Sequence, residues 1–87
     1  VANHKQALKR HRQNLKRNAR NRARRSMMKT AVRKAREAFT AGEQGAETLV
    51  REALSQIGRA RSKGLLHKNT AARRVAKLAR AFNRSQG

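Results

Sequence analysis

From Met28 onward, apolar residues recur at helical spacing: Met28, Val32, Ala35 and Phe39, with Met27, Ala31 and Ala38 alongside. Steps of three and four place such residues on one face of an α-helix. The same spacing returns in Leu49, Val50, Ala53, Leu54, Ile57 and Ala60, and again in Ala71, Val75, Leu78 and Phe82. Between these runs stand Gly42 and Gly64, each placed to cap a helix C-terminus in a left-handed conformation. Leu65 follows Gly64, where a Schellman turn would fold it back onto Ala60. The pattern predicts three helices, over about residues 6–41, 43–62 and 68–83. Alternating strand patterns are absent. The fold class is all-α: a three-helix antiparallel bundle in a single domain, residues 1–87.

The first helix is longer than its apolar stripe. Before Ser26 its only large apolar residues are Leu8 and Leu15, with Ala19 and Ala23 on a similar line. At 1.5 Å per residue the three helices measure about 54, 30 and 25 Å. Two shorter helices joined by short turns cover only the C-terminal half of the first. Its N-terminal half is expected to overhang the bundle.

Charge sharpens this picture. Residues 1–36 contain 14 Lys or Arg and no acid, whereas the four Glu residues (Glu37, Glu43, Glu47 and Glu52) all lie within residues 37–52. Residues 53–87 are again basic and free of acids, and the net charge is +20. Glu43 and Glu47 fall at the expected start of the second helix, where negative charge meets the positive end of the dipole. Gly58 falls inside that helix at a cost of roughly 0.5–1 kcal/mol; close approach by a neighbouring helix is the favoured reason for it, and contact with a nucleic-acid backbone is the alternative.

Half of the 32 hydrophobic residues are Ala, so the core is small. Full order of the cationic N-terminal stretch is expected only with a partner bound. A rod charged on every side, with no internal counter-charge, calls for a polyanion. An anionic membrane suits it poorly, because the first 25 residues lack a continuous apolar face. A basic zipper fails because the heptad from Met28 through Ala35 reaches Gly42 and stops. Sheet-type RNA readers need aromatic platforms; Tyr and Trp are absent, and both Phe residues lie on core stripes. Recognition of folded RNA by shape and phosphate position remains, with a DNA-compacting protein as the alternative.

No metal, cofactor or catalytic group is expected. Cys is absent, and His4, His11 and His67 are too scattered to share an ion. No signal-like or membrane-spanning run is visible, Val1 fits loss of an initiator Met, and the cytoplasm is the expected compartment.

The residues expected to touch RNA are Asn3, Lys5, Lys9, Arg10, Arg12, Lys16, Arg17, Arg20, Arg24, Arg25, Ser26 and Lys29 on the first helix. At the start of the third helix they are His67, Lys68 and Asn69, where free backbone N–H groups favour an anion, followed by Arg73 and Arg74. Arg suits bidentate phosphate contacts, and Asn14, Asn18 and Asn21 add neutral groups for sugars and base edges.

Several pieces of the chain are more specific than its charge: Ala2-Asn3-His4-Lys5, Lys9-Arg10, Arg24-Arg25-Ser26-Met27-Met28-Lys29-Thr30, and Gly64-Leu65-Leu66-His67-Lys68-Asn69 with Ala71-Ala72-Arg73. In these the chain resembles the family of bacterial small-subunit ribosomal proteins numbered twenty, over nearly its whole length. Gln6, Thr70 and Glu43 depart from that family's usual Ser, Lys and Asp. The resemblance implies a three-helix protein that binds 16S ribosomal RNA directly and early in assembly. It implies contacts to the 5′ domain and to the long penultimate helix, few or no protein contacts, and a monomer within the ribosome.

Overall fold

A computed structural model of the chain describes residues 2–86, with side chains from residue 4 to residue 86. It contains α1 (Ala2–Thr40), α2 (Ala46–Ser62) and α3 (Lys68–Gln86). Among the described residues there is no strand. The molecule is an all-α bundle measuring 66 × 23 × 13 Å. The long dimension is set by α1, whose 39 residues span about 58 Å.

Both glycine caps form as the pattern predicts. Gly42 has φ +70°; its N–H donates to the Phe39 carbonyl at 3.3 Å, and the Glu43 N–H donates to the Ala38 carbonyl at 3.0 Å. Gly64 has φ +76°; its N–H donates to Arg61, and the Leu65 N–H donates to Ala60 at 2.9 Å. Each pair of bonds is a Schellman motif, which satisfies carbonyls that the helix end leaves free.

Three boundaries differ from expectation. Helix α2 starts at Ala46 rather than Glu43, because Gly45 is also left-handed, at φ +86°. The helical ladder begins at the Gly45 carbonyl, which accepts from Thr48 at 3.1 Å. Glu43 therefore lies outside the first turn, and Glu47 alone meets the dipole there. Helix α1 starts at Ala2 instead of near Gln6, and α3 runs to Gln86 instead of stopping near Asn83. Neither stretch contains a Gly or Pro before those ends, so nothing breaks the ladder.

The core has two linked clusters. One gathers Ala35, Ala38, Phe39, Ala46, Val50, Ala53 and Leu78; the other gathers Met28, Ile57, Ala60 and Ala71. Phe39 shares its cluster with Ala46 and Val50, while Met28 shares the other with Ile57 and Ala60. As numbers fall along α1 they rise along α2, so the two helices are antiparallel. Six of the eleven buried hydrophobic residues are Ala, which lets the helices close tightly but buries little area. Such a core is small for a chain of this charge, so an external anion has leverage on its stability.

Two core assignments are corrected. Met27 is 56% exposed and Val75 is 36% exposed. Met27 directly precedes the buried Met28, and one residue turns a helix by 100°, which leaves it at the rim of the α1–α2 seam, beside Leu49, Glu52 and Gln56, rather than in the core. Val75 sits at the rim of the α3 stripe, whose buried members are Ala71 and Leu78. Gly58 is also corrected. A Cβ built there would meet nothing within 4 Å, so no neighbouring helix requires a glycine.

Candidate nucleic-acid interface

The overhang follows from the level at which the bundle ends. On the overhang side, the buried core between α1 and α2 ends in the cluster of Met28 with Ile57 and Ala60. Arg24 still shares a surface groove with Arg59, Ala60 and Lys63. Toward the N-terminus from there, α1 continues without packing: the side chains of residues 4–20 are all exposed. Ala, Leu, Arg, Lys and Gln make up most of this stretch, so helix propensity favours the rod while no continuous apolar face draws it back onto the bundle.

Lys5, Lys9, Arg10, Arg12, Lys16, Arg17, Arg20, Arg24 and Arg25 are exposed along this rod. The Asn3 side chain lies outside the described residues. No carboxylate occurs along the rod itself. Glu47 accepts from Arg51 at 2.7 Å, Glu52 lies 3.9 Å from Arg59, and Glu37 lies 4.0 Å from Arg33. These are exposed pairs worth about 0–1 kcal/mol each. Their significance is positional: three of the four acids pair with Arg residues on the surface of the bundle, and none pairs with a residue of the overhang.

Ser26 and Lys29 are exposed where the rod enters the bundle. Ser26 lines a groove between α1 and α2 with Met27, Thr30, Lys34 and Glu52. His67, Lys68 and Asn69 are exposed at the start of α3. The His67 Nδ1 accepts from the Asn69 backbone N–H at 3.1 Å, and the His67 carbonyl accepts from Ala71 at 2.9 Å. His67 is therefore the cap of α3, which consumes one N–H at that terminus. Nδ1 accepts the Asn69 bond through its lone pair, so the neutral ring carries its N–H at Nε2.

Arg73 and Arg74 open onto a second groove, between α1 and α3, with Arg36, Lys77 and Thr70 at its sides and Val32 and Ile57 at its base. Arg36 and Lys77 were not among the expected contacts. Their signal was present: Arg36 is four residues from Val32, and Lys77 is three from Arg74, so each shares a face with a groove residue. The sequence-predicted residues thus form three groups: the rod, the start of α3 beside its inner end, and the α1–α3 groove. Among the described residues there is no group of acids and histidines able to hold a metal ion, and no helix is long and apolar enough to cross a membrane.

This cationic three-helix form coincides with a match to the family model for ribosomal protein S20, over residues 2–83. The chain belongs to the ribosomal protein S20 family. Members of the S20 family are structural ribosomal components rather than enzymes. The chain is 51% identical over 82 residues to the small ribosomal subunit protein bS20 of Roseiflexus sp. (strain RS-1), covering 94% of this chain and 90% of that one. It is 46% identical over 82 residues to bS20 of Desulforapulum autotrophicum, covering 94% and 99%. It is 49% identical over 80 residues to bS20 of Streptomyces griseus, covering 91% of each. The S20 match takes in both the overhang and the bundle, so the cationic rod belongs to the family portion of the chain.

Proposed function

We propose that this chain is a structural constituent of the small ribosomal subunit that binds 16S ribosomal RNA directly, neutralising and clamping RNA segments during assembly. The observation that carries this reading is the α1 overhang, a helical rod of exposed Lys and Arg with no carboxylate along it. Repulsion among these charges is relieved when phosphates replace the missing acids. Phosphate contacts position the protein on folded RNA, and Arg adds bidentate geometry that a simple counter-ion lacks. Membership in the S20 family places the protein in the small subunit, in the cytoplasm.

The chain acts as a monomer within the ribosome, with few or no protein contacts, and its RNA partners are the 5′ domain and the long penultimate helix. The contacts run along the rod from Lys5 to Arg25, through Ser26 and Lys29, and on to His67, Lys68, Asn69, Arg73 and Arg74. With about ten phosphates engaged, log affinity falls against log salt with a slope of roughly −7 to −9. Competition tests the choice of polyanion. Duplex DNA at equal nucleotide concentration should fail to displace bound small-subunit ribosomal RNA. Displacement would instead mark a DNA-compacting protein.

A further inference from the structure

The buried stripe of α1 does not end where the bundle ends. Counting down from Met28 by alternate steps of four and three gives Arg24, Asn21, Arg17, Asn14 and Arg10. In an unbroken helix these positions share the line that carries Met28, Val32, Ala35 and Phe39 into the core. The face that is apolar inside the bundle becomes an alternation of Arg and Asn outside it.

The opposite face differs. Leu8 and Leu15 each precede an inner-line Arg by two residues, which is about 200° of rotation, and they are 47% and 57% exposed. The inner line also has a floor. Helix α2 passes Met28 at Ile57 and Ala60 and continues toward lower α1 numbers, so the α2–α3 connection reaches the level of Arg24. Asn21 is the only residue from His4 to Met27 that is partly buried rather than exposed, as expected beneath that connection. Lys63 and His67 stand on the connection, Lys68 opens α3, and no acid occurs between Arg59 and Asn69.

We propose that one RNA segment lies in the elbow between the inner line of the overhang and the α2–α3 connection, on the side of α1 that holds α2 and α3. This rests on the RNA-binding reading and adds a face to it. The RNA takes the place along α1 that the shorter helices are too short to fill. Arg10, Arg17 and Arg24 contact phosphates, and Asn14 and Asn21 reach sugar hydroxyls and base edges between them. The outward line of Leu8, Arg12, Leu15 and Arg22 contributes long-range charge only, which takes Arg12 out of the set of direct contacts.

Charge-matched variants of the full chain separate the faces. R10A/R17A and R12A/R22A each remove two guanidinium groups from exposed helical positions outside the bundle, and Arg→Ala preserves helix propensity. Circular dichroism confirms equal helicity before binding to folded small-subunit ribosomal RNA is measured. The inner pair should lose about a hundredfold in affinity and the outer pair less than about fivefold. N14A/N21A should lose about tenfold with an unchanged salt slope, because no charge is removed. Equal losses for the two Arg pairs would overturn the elbow while leaving RNA binding in place. No loss from either pair would overturn the elbow and the RNA-binding reading together.

Discussion

The rings of Phe39 and Phe82 meet edge to face, with centroids 5.8 Å apart and planes inclined at 71°. They join the C-terminal ends of α1 and α3, so these two helices run the same way with α2 antiparallel between them in sequence. The pair locks the end of the bundle farthest from the overhang. An edge-to-face contact adds about 0.5–1.5 kcal/mol beyond the area it buries.

Phe39 is 8% exposed, and its replacement by Ala leaves a cavity among Ala46, Val50 and Leu78. Phe39→Ala should cost about 3–5 kcal/mol, a large share of what a small domain possesses. Urea unfolding followed by circular dichroism would show a midpoint shifted sharply down. Val75→Asp, at a rim position, should cost less than about 1 kcal/mol by the same measurement. Equal losses for the two would contradict the core described here.

Gly58 and Gly64 separate by backbone conformation. Gly64 has φ +76°, where a Cβ meets its own backbone, so Gly64→Ala should destabilise by about 1–2 kcal/mol. Gly58 lies within α2, and a methyl group added there would meet nothing inside 4 Å, so Gly58→Ala should stabilise the free protein by about 0.5–1 kcal/mol. Thermal unfolding of the two variants should move in opposite directions.

Much of this was legible in the chain itself. The stripe from Met28 to Phe39 gave the packed half of α1, and the spacing of Gly42 and Gly64 gave two helix ends, because each glycine supplies a left-handed residue that a helix stop demands. Gly45 was harder to read. A second left-handed glycine three residues after the first moves the start of α2, and nothing in its neighbours distinguishes it from a residue of the first turn. Val75 and Met27 misled because period alone does not say how wide a stripe is covered; the width depends on how closely Ala-rich helices approach. The rod was visible in its charge, whereas the α1–α3 groove needed Arg36 and Lys77 to be brought together from helices far apart in sequence.

Arg20, Arg24 and Arg25 are exposed near the inner end of the rod and have no carboxylate partner among the described residues. Replacing all three with Ala should leave unfolding unchanged within about 0.5 kcal/mol. Affinity for ribosomal RNA should fall, and the slope of log affinity against log salt should become shallower by about 2–3. Filter-binding titrations at several salt concentrations read both quantities at once.

Amide hydrogen exchange, resolved along the chain with and without folded small-subunit ribosomal RNA, tests the role of the overhang most directly. The side chains of residues 4–20 are all exposed, so the amides of this stretch have no bundle packing to protect them in the free protein. They should exchange fast when free and become the most strongly protected segment on RNA binding. Protection confined to α2 and α3, with the rod exchanging as fast as before, would contradict an RNA-enclosed overhang.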